Sequence, residues 1–142
     1  MAKNYFFLFS LLFVLFSGCS ADDEPFEEPV AYEKVSILST NLPAQLTAGE
    51  KIFIRLTYDR PTRCHSFSGI EFEDLKDTLY YGVITTYKKD SECESEDLTA
   101  STSFEFIPEP VEFYIFKFWQ GRSQQGEDQF LTIKVPVVSN SS

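Results

Sequence analysis

The chain has 142 residues, is 43% hydrophobic and 16% aromatic, and carries 12 basic against 22 acidic side chains for a formal charge of −10. A surface this acidic repels phosphate backbones, which Lys and Arg must neutralise, so the composition argues against a nucleic-acid partner. The apolar content is too high for a chain disordered along its whole length.

Residues 5–16 (YFFLFSLLFVLF) are apolar apart from Ser10 and follow Lys3. Such a run is too short to cross a bilayer as a helix, which takes about 20 residues. A positive start, a short apolar middle and the small residues Ser17 and Gly18 describe a secretory signal peptide, removed after residue 18. The alternative is a buried globular helix. Against it, the run has no polar face and leads directly into an acidic stretch containing Pro25 and Pro29.

Phe16-Ser17-Gly18-Cys19 resembles the lipobox of bacterial lipoproteins, with Phe16 where that pattern usually has Leu. The resemblance implies that Cys19 is lipidated and becomes the mature N-terminus, so that the membrane is met through a lipid. Ser20-Ala21-Asp22-Asp23-Glu24 resembles the acidic export tag of surface lipoproteins of the Bacteroidota. That resemblance implies an outer-membrane protein facing the cell exterior. With Glu27 and Glu28 continuing the charge, residues 19–31 read as an extended, self-repelling tether.

From residue 32 to 142 the pattern is that of strands. Residues 32–38 make a first strand, and 41–49, with Pro43 and Gly49, a connection. Residues 51–58 alternate, with Ile52, Ile54, Leu56 and Tyr58 on one face, and Asp59-Arg60-Pro61-Thr62 breaks the run. Phe67, Ile70 and Phe72 supply a short strand with residues 74–77 as its exit. Residues 78–88 are rich in Tyr, Val, Ile and Thr, which suit a pleated surface. Residues 90–100 are polar and acidic, 102–107 form a strand around Phe104 and Phe106, and Pro108-Glu109-Pro110 ends it. Residues 111–120 (VEFYIFKFWQ) are the most apolar strand, 121–129 a polar loop, and 130–138 the last strand. About seven short strands with no convincing helix point to an all-β, immunoglobulin-like antiparallel sandwich. Tyr114 is either a tyrosine corner, whose hydroxyl bonds back onto the turn, or an ordinary half-buried strand residue.

Cys64 and Cys93 remain once Cys19 is lipidated, and an oxidising compartment favours a disulfide between them. Closing that loop stabilises by roughly 3.5 kcal/mol on the chain-entropy estimate. Their spacing matches no zinc pattern. His65, the single imidazole, reads as a surface loop residue beside the disulfide. The sequence has no phosphate-cradling glycine loop, no paired-His helix and no nucleophile elbow, so no catalytic set, metal site or cofactor is assigned. Asp90, Glu92, Glu94, Glu96 and Asp97 lack the glycine-centred pattern of a calcium loop and read as a solvated turn. Trp119 is expected to pack inside the sandwich, because buried Trp is common in such folds. Arg122, Glu127 and Asp128 are the candidate binding residues: a planar donor and two acceptors in a loop that Gly121 and Gly126 let bend close to a ligand. Residues 59–68 are expected at the same end. In the competing account Glu127 and Asp128 merely shape the turn.

Phe118, Trp119, Gly121, Gly126, Glu127, Asp128, Pro136 and Val137, with Cys64 and Cys93 upstream, resemble small surface lipoproteins of Flavobacteria-like Bacteroidota. The likeness is close over residues 113–137 and loose over the rest of the domain. It implies a lipid anchor and a sandwich fold, and no activity comes with it. The expected function is a non-catalytic binding or structural module of the cell envelope, with an envelope protein as partner. The alternative is a glycan-binding accessory module of a nutrient-uptake system, and an enzyme comes third.

Overall fold

Strands, and no helix, make up the regular structure of residues 29–89 and 92–141, which the computed structural model describes. The leader, Cys19, the tether as far as residue 28, and Asp90 lie outside the described residues. The described residues form nine strands: β1 (Val30–Val35), β2 (Ile37–Thr40), β3 (Leu46–Thr47), β4 (Ile52–Thr62), β5 (Ser66–Leu75), β6 (Thr78–Lys88), β7 (Ser95–Phe106), β8 (Phe113–Arg122) and β9 (Asp128–Val138).

Two sheets form a β-sandwich. One is three-stranded, in the order β2-β4-β7. In the other, β6 pairs with β5 along one edge and with β1 and β8 on the opposite edge, and β8 continues to β9 and β3. Alternation sets which side chains point between the sheets. Ile54, Leu56 and Tyr58 from β4 meet Leu79, Tyr81 and Val83 from β6 and Tyr114, Phe116 and Phe118 from β8 in one buried cluster. Tyr81 lies at its centre, with its ring 4.6 Å from Phe104 and 5.6 Å from Phe118. Burial, assisted by Asp74 and Tyr114, pushes its phenol well above the ordinary tyrosine range, so the hydroxyl stays neutral.

Several strands differ from the sequence expectation, each for a local reason. The first expected strand is two, because Ser36 marks the point where the chain leaves β6 in one sheet and joins β4 in the other. The connection at 41–49 contains the short β3, which pairs in parallel with β9. Pro61 does not end β4. A register shift between Arg60 and Thr62 absorbs it, since an irregular strand end needs no donor from that residue. The polar stretch after Cys93 is already strand from Ser95, because β7 is an edge strand whose outer positions are solvated. Finally, β6 and β8 run in parallel. The chain between them crosses to the other sheet as β7 and returns in the same direction, as parallel pairing requires.

Candidate functional site

Because Tyr114, Phe116 and Phe118 point inward, the odd positions of β8 must face outward. Trp119 is therefore half-buried on the outer face of the larger sheet and is not part of the core, which corrects the expectation that it packs inside the sandwich. Its indole N–H donates to Asp128 Oδ1 at 3.0 Å. The same oxygen accepts a hydrogen bond from Arg122 Nε at 3.1 Å. The hairpin geometry makes this possible: Arg122 is paired with Asp128 in register, and a shift between Trp119 and Gly121 turns the strand there. Gly121 takes a φ of 112°, which only glycine adopts readily. Hydrogen bonds from Trp119 first and Arg122 second hold the Asp128 carboxyl below the ordinary aspartate range.

Trp119 and Asp128 form one wall of a groove of about 440 Å³, with Phe130, Tyr80, Glu71, Glu73 and Lys34 around the rest. Its floor is Gly82. A Cβ added there would lie 2.9 Å from Glu71 Oε2 and 3.4 Å from Lys34 Cδ, so the missing side chain is what lets the Lys34–Glu71 ion pair lie against the strand. Lys34 forms an ion pair with Glu71 and holds its ammonium 5.4 Å from the centre of the Trp119 ring. Lys117 lies over both Tyr80, at 5.4 Å, and Phe130, at 5.6 Å. The groove thus combines aromatic faces, carboxylate acceptors and the Lys34 ammonium, with Lys117 lying over two of its rings.

Of the three candidate binding residues, Asp128 lines this groove and Arg122 braces it. Glu127 contributes its backbone to the turn: its N–H donates to Ser123 Oγ at 3.2 Å, and its carbonyl accepts from the Ser123 N–H at 2.8 Å. From the 59–68 segment, Arg63, Cys64 and Ser66 line a separate hollow with Val30, Thr86, Tyr87 and Lys88. Lys34, Glu71, Glu73, Tyr80, Gly82 and Phe130 come from four strands and were not singled out by sequence. Only the pairing of β1, β5 and β8 with β6, and of β9 with β8, assembles them.

Cys64 and Cys93 form a disulfide with Cα atoms 5.8 Å apart. His65 beside it is only 5% exposed, which corrects its assignment to the surface. Its Nε2 lies 2.8 Å from Glu33 Oε2 and its Nδ1 2.8 Å from Thr62 Oγ1, and its ring is 4.6 Å from that of Tyr87. The carboxylate can only accept, so Nε2 donates. In the neutral ring Nδ1 then accepts from Thr62, whose oxygen accepts in turn from the Cys64 N–H at 3.2 Å. Every polar atom of the buried imidazole is paired, so it reads as a structural element that locks the disulfide turn to β1. Glu96 is bound by Arg63 at 2.9 Å. Among the described residues no group of three or more His, Cys, Asp or Glu comes together as a metal site.

No protein-family model, curated protein or solved structure matches the chain.

Proposed function

We propose that the protein is a lipid-anchored binding module of the outer membrane, facing the exterior, which holds an envelope ligand in the Trp119–Asp128 groove without turning it over. The anchor and address rest on Phe16-Ser17-Gly18-Cys19 and the acidic residues that follow. The observation that carries the binding reading is the outward Trp119, fixed by Asp128 in the wall of the groove. Trp119 stands there with Tyr80 and Phe130, and rings grouped in one hollow offer a ligand more apolar contact than a lone exposed side chain does. The absence of turnover is argued from how the acids are held. Asp128 is held as the carboxylate by two donors, and so serves as an acceptor and not as a proton donor near neutral pH.

The sandwich is read as a variant of the immunoglobulin-like arrangement. The support is Tyr114, whose hydroxyl accepts the Glu109 N–H at 3.0 Å across the β7–β8 corner, as a tyrosine corner does. The parallel pairing of β6 and β8 is the departure from that arrangement.

A glycan is the second reading of the ligand, favoured by one observation. Trp119, Tyr80 and Phe130 stand among Glu71, Glu73 and Asp128, a set that stacks on sugar faces and accepts from hydroxyls. Isothermal titration of the full lipidated protein with protease-treated envelope polysaccharide, and separately with envelope protein, tests both readings. Binding in either arm that is lost in Trp119→Ala supports the groove, and the arm identifies the ligand. Binding that survives Trp119→Ala in both arms contradicts the groove. Mass spectrometry of the same sample should find acyl mass on Cys19.

A further inference from the structure

The two flanks of the sandwich are finished differently. On one, the chain passes between the sheets at Ser36 and again before β3, and the amides of Ala48 and Gly49 donate to the carbonyls of Val138 and Pro108. On the other, β5 ends one sheet and β7 ends the other, and neither has a second strand partner among the described residues. Between them lies an apolar cleft of about 340 Å³, lined by Ile70, Phe72, Tyr81, Phe104, Glu105 and Phe106. The register puts Phe67, Ile70 and Phe72 opposite the inward-facing Thr85, Val83 and Tyr81, so these side chains belong to the inner face. Even so, Phe67 is 47% and Phe72 is 52% exposed. Ordinary edge protection uses charges and prolines and gives no reason for half-exposed aromatics on an inner face.

We propose that this flank accepts an extended segment of a partner protein as an added strand along β5, with apolar side chains in the cleft and basic side chains beside Glu71 and Glu73. A free strand edge offers main-chain donors and acceptors for affinity, and the cleft and the outer charges select alternate side chains. The preference for a basic segment follows from charge. Glu73, and Glu71 with its Lys34 partner, stand on the outer face of β5, opposite Tyr80 and Gly82, and a strand laid alongside places its own outer residues next to them. The same charge disfavours a second copy of the chain. A twofold pairing of β5 with itself about Phe72 would set Glu71 against Glu73 twice, between molecules of charge −10. It also disfavours residues 19–28 of this chain, which carry five acids and no base. Glu71, Phe72, Glu73 and Tyr81 also line the groove over Gly82, so the two sites are told apart by which resonances shift: the added strand lies on the opposite side of β5 from β6, away from Trp119 and Phe130.

The test uses the full lipidated protein in detergent micelles and a capped peptide of alternating valine and lysine, ten residues long to match β5. A second peptide of the same composition with its valines grouped controls for charge. The alternating peptide should slow hydrogen exchange at β5 amides and shift the Phe104 and Phe106 resonances, and should bind at least about tenfold more tightly than the grouped one. Phe72→Lys should remove that advantage. Glu73→Lys, at a solvated position that carries no packing, should weaken binding severalfold and keeps the test valid if Phe72→Lys does not fold. Equal binding of the two peptides would overturn the proposal. So would shifts centred on the Trp119 indole and Phe130, or β5 protection that depends on protein concentration without any peptide, which would show a second copy.

Discussion

Asp128 Oδ1 accepts hydrogen bonds from both the Trp119 indole and the Arg122 guanidinium, at 3.0 and 3.1 Å. One exposed carboxylate thereby fixes the only tryptophan of the chain and the end of β8. Because its pKa is lowered in the folded protein, its contribution to stability is complete above the unfolded-state value and is lost as pH falls through the folded one. Tryptophan fluorescence should therefore be flat from neutral pH down to the ordinary aspartate range and change only below it. Asp128→Asn should remove that acid transition. A transition retained in Asp128→Asn would assign it to another group.

Tyr114→Phe deletes the acceptor of the Glu109 N–H while leaving the ring in the core. A part-buried amide left without a partner costs about 1–3 kcal/mol. Urea denaturation should show a loss in that range with an unchanged slope. A loss below about 0.5 kcal/mol, the size of an ordinary surface substitution, would make Tyr114 a plain strand residue.

Replacing both Cys64 and Cys93 by Ser should lower stability by roughly 3.5 kcal/mol, the loop-entropy value for a separation of 29 residues. The His65–Glu33 contact should loosen with it, since the same turn holds both. Denaturation of the oxidised protein and of the double variant measures the first effect, and the His65 ring resonances report the second. An unchanged midpoint would mean that the Arg60 and Arg63 contacts alone hold the turn.

Gly82→Val should push the Lys34–Glu71 ion pair off the strand and into the groove. The nearest atoms to an added Cβ are the flexible ends of Glu71 and Lys34, which can move aside, so the fold should survive with a change within about 1 kcal/mol. Ligand binding in the groove should be lost. Unfolding of this variant would show that Gly82 is needed for β5–β6 pairing and not for the seat of the Lys34–Glu71 pair.

Much of the sandwich was legible because period-two alternation is a strong signal. Residues 78–88 were read as a strand and are β6, and Pro108-Glu109-Pro110 ends β7 as expected. What was missed depends on neighbours. The run 111–120 is apolar on both faces, so its phase is ambiguous until the sheet decides that Phe118 points inward and Trp119 outward. The strand start at Ser95 was hidden because an edge strand keeps polar residues at solvated positions. His65 looked like a loop residue because its partners, Glu33 and Tyr87, are distant in sequence. At the candidate site, Asp128 and Arg122 were recoverable from the hairpin. Gly82, Glu71 and Lys34 were not, since no local pattern announces that β1 and β8 share one edge of β6.

The central claim is that the outer groove holds an envelope ligand at the cell surface. Photo-cross-linking in native envelopes tests it most directly, with a photoreactive amino acid at Phe130 in the groove and, as the comparison, at the exposed Phe53 on β4. The account predicts a discrete adduct from position 130 that disappears in Trp119→Ala, and none from position 53. The same adducts from both positions, or an adduct at 130 that persists in Trp119→Ala, would contradict it.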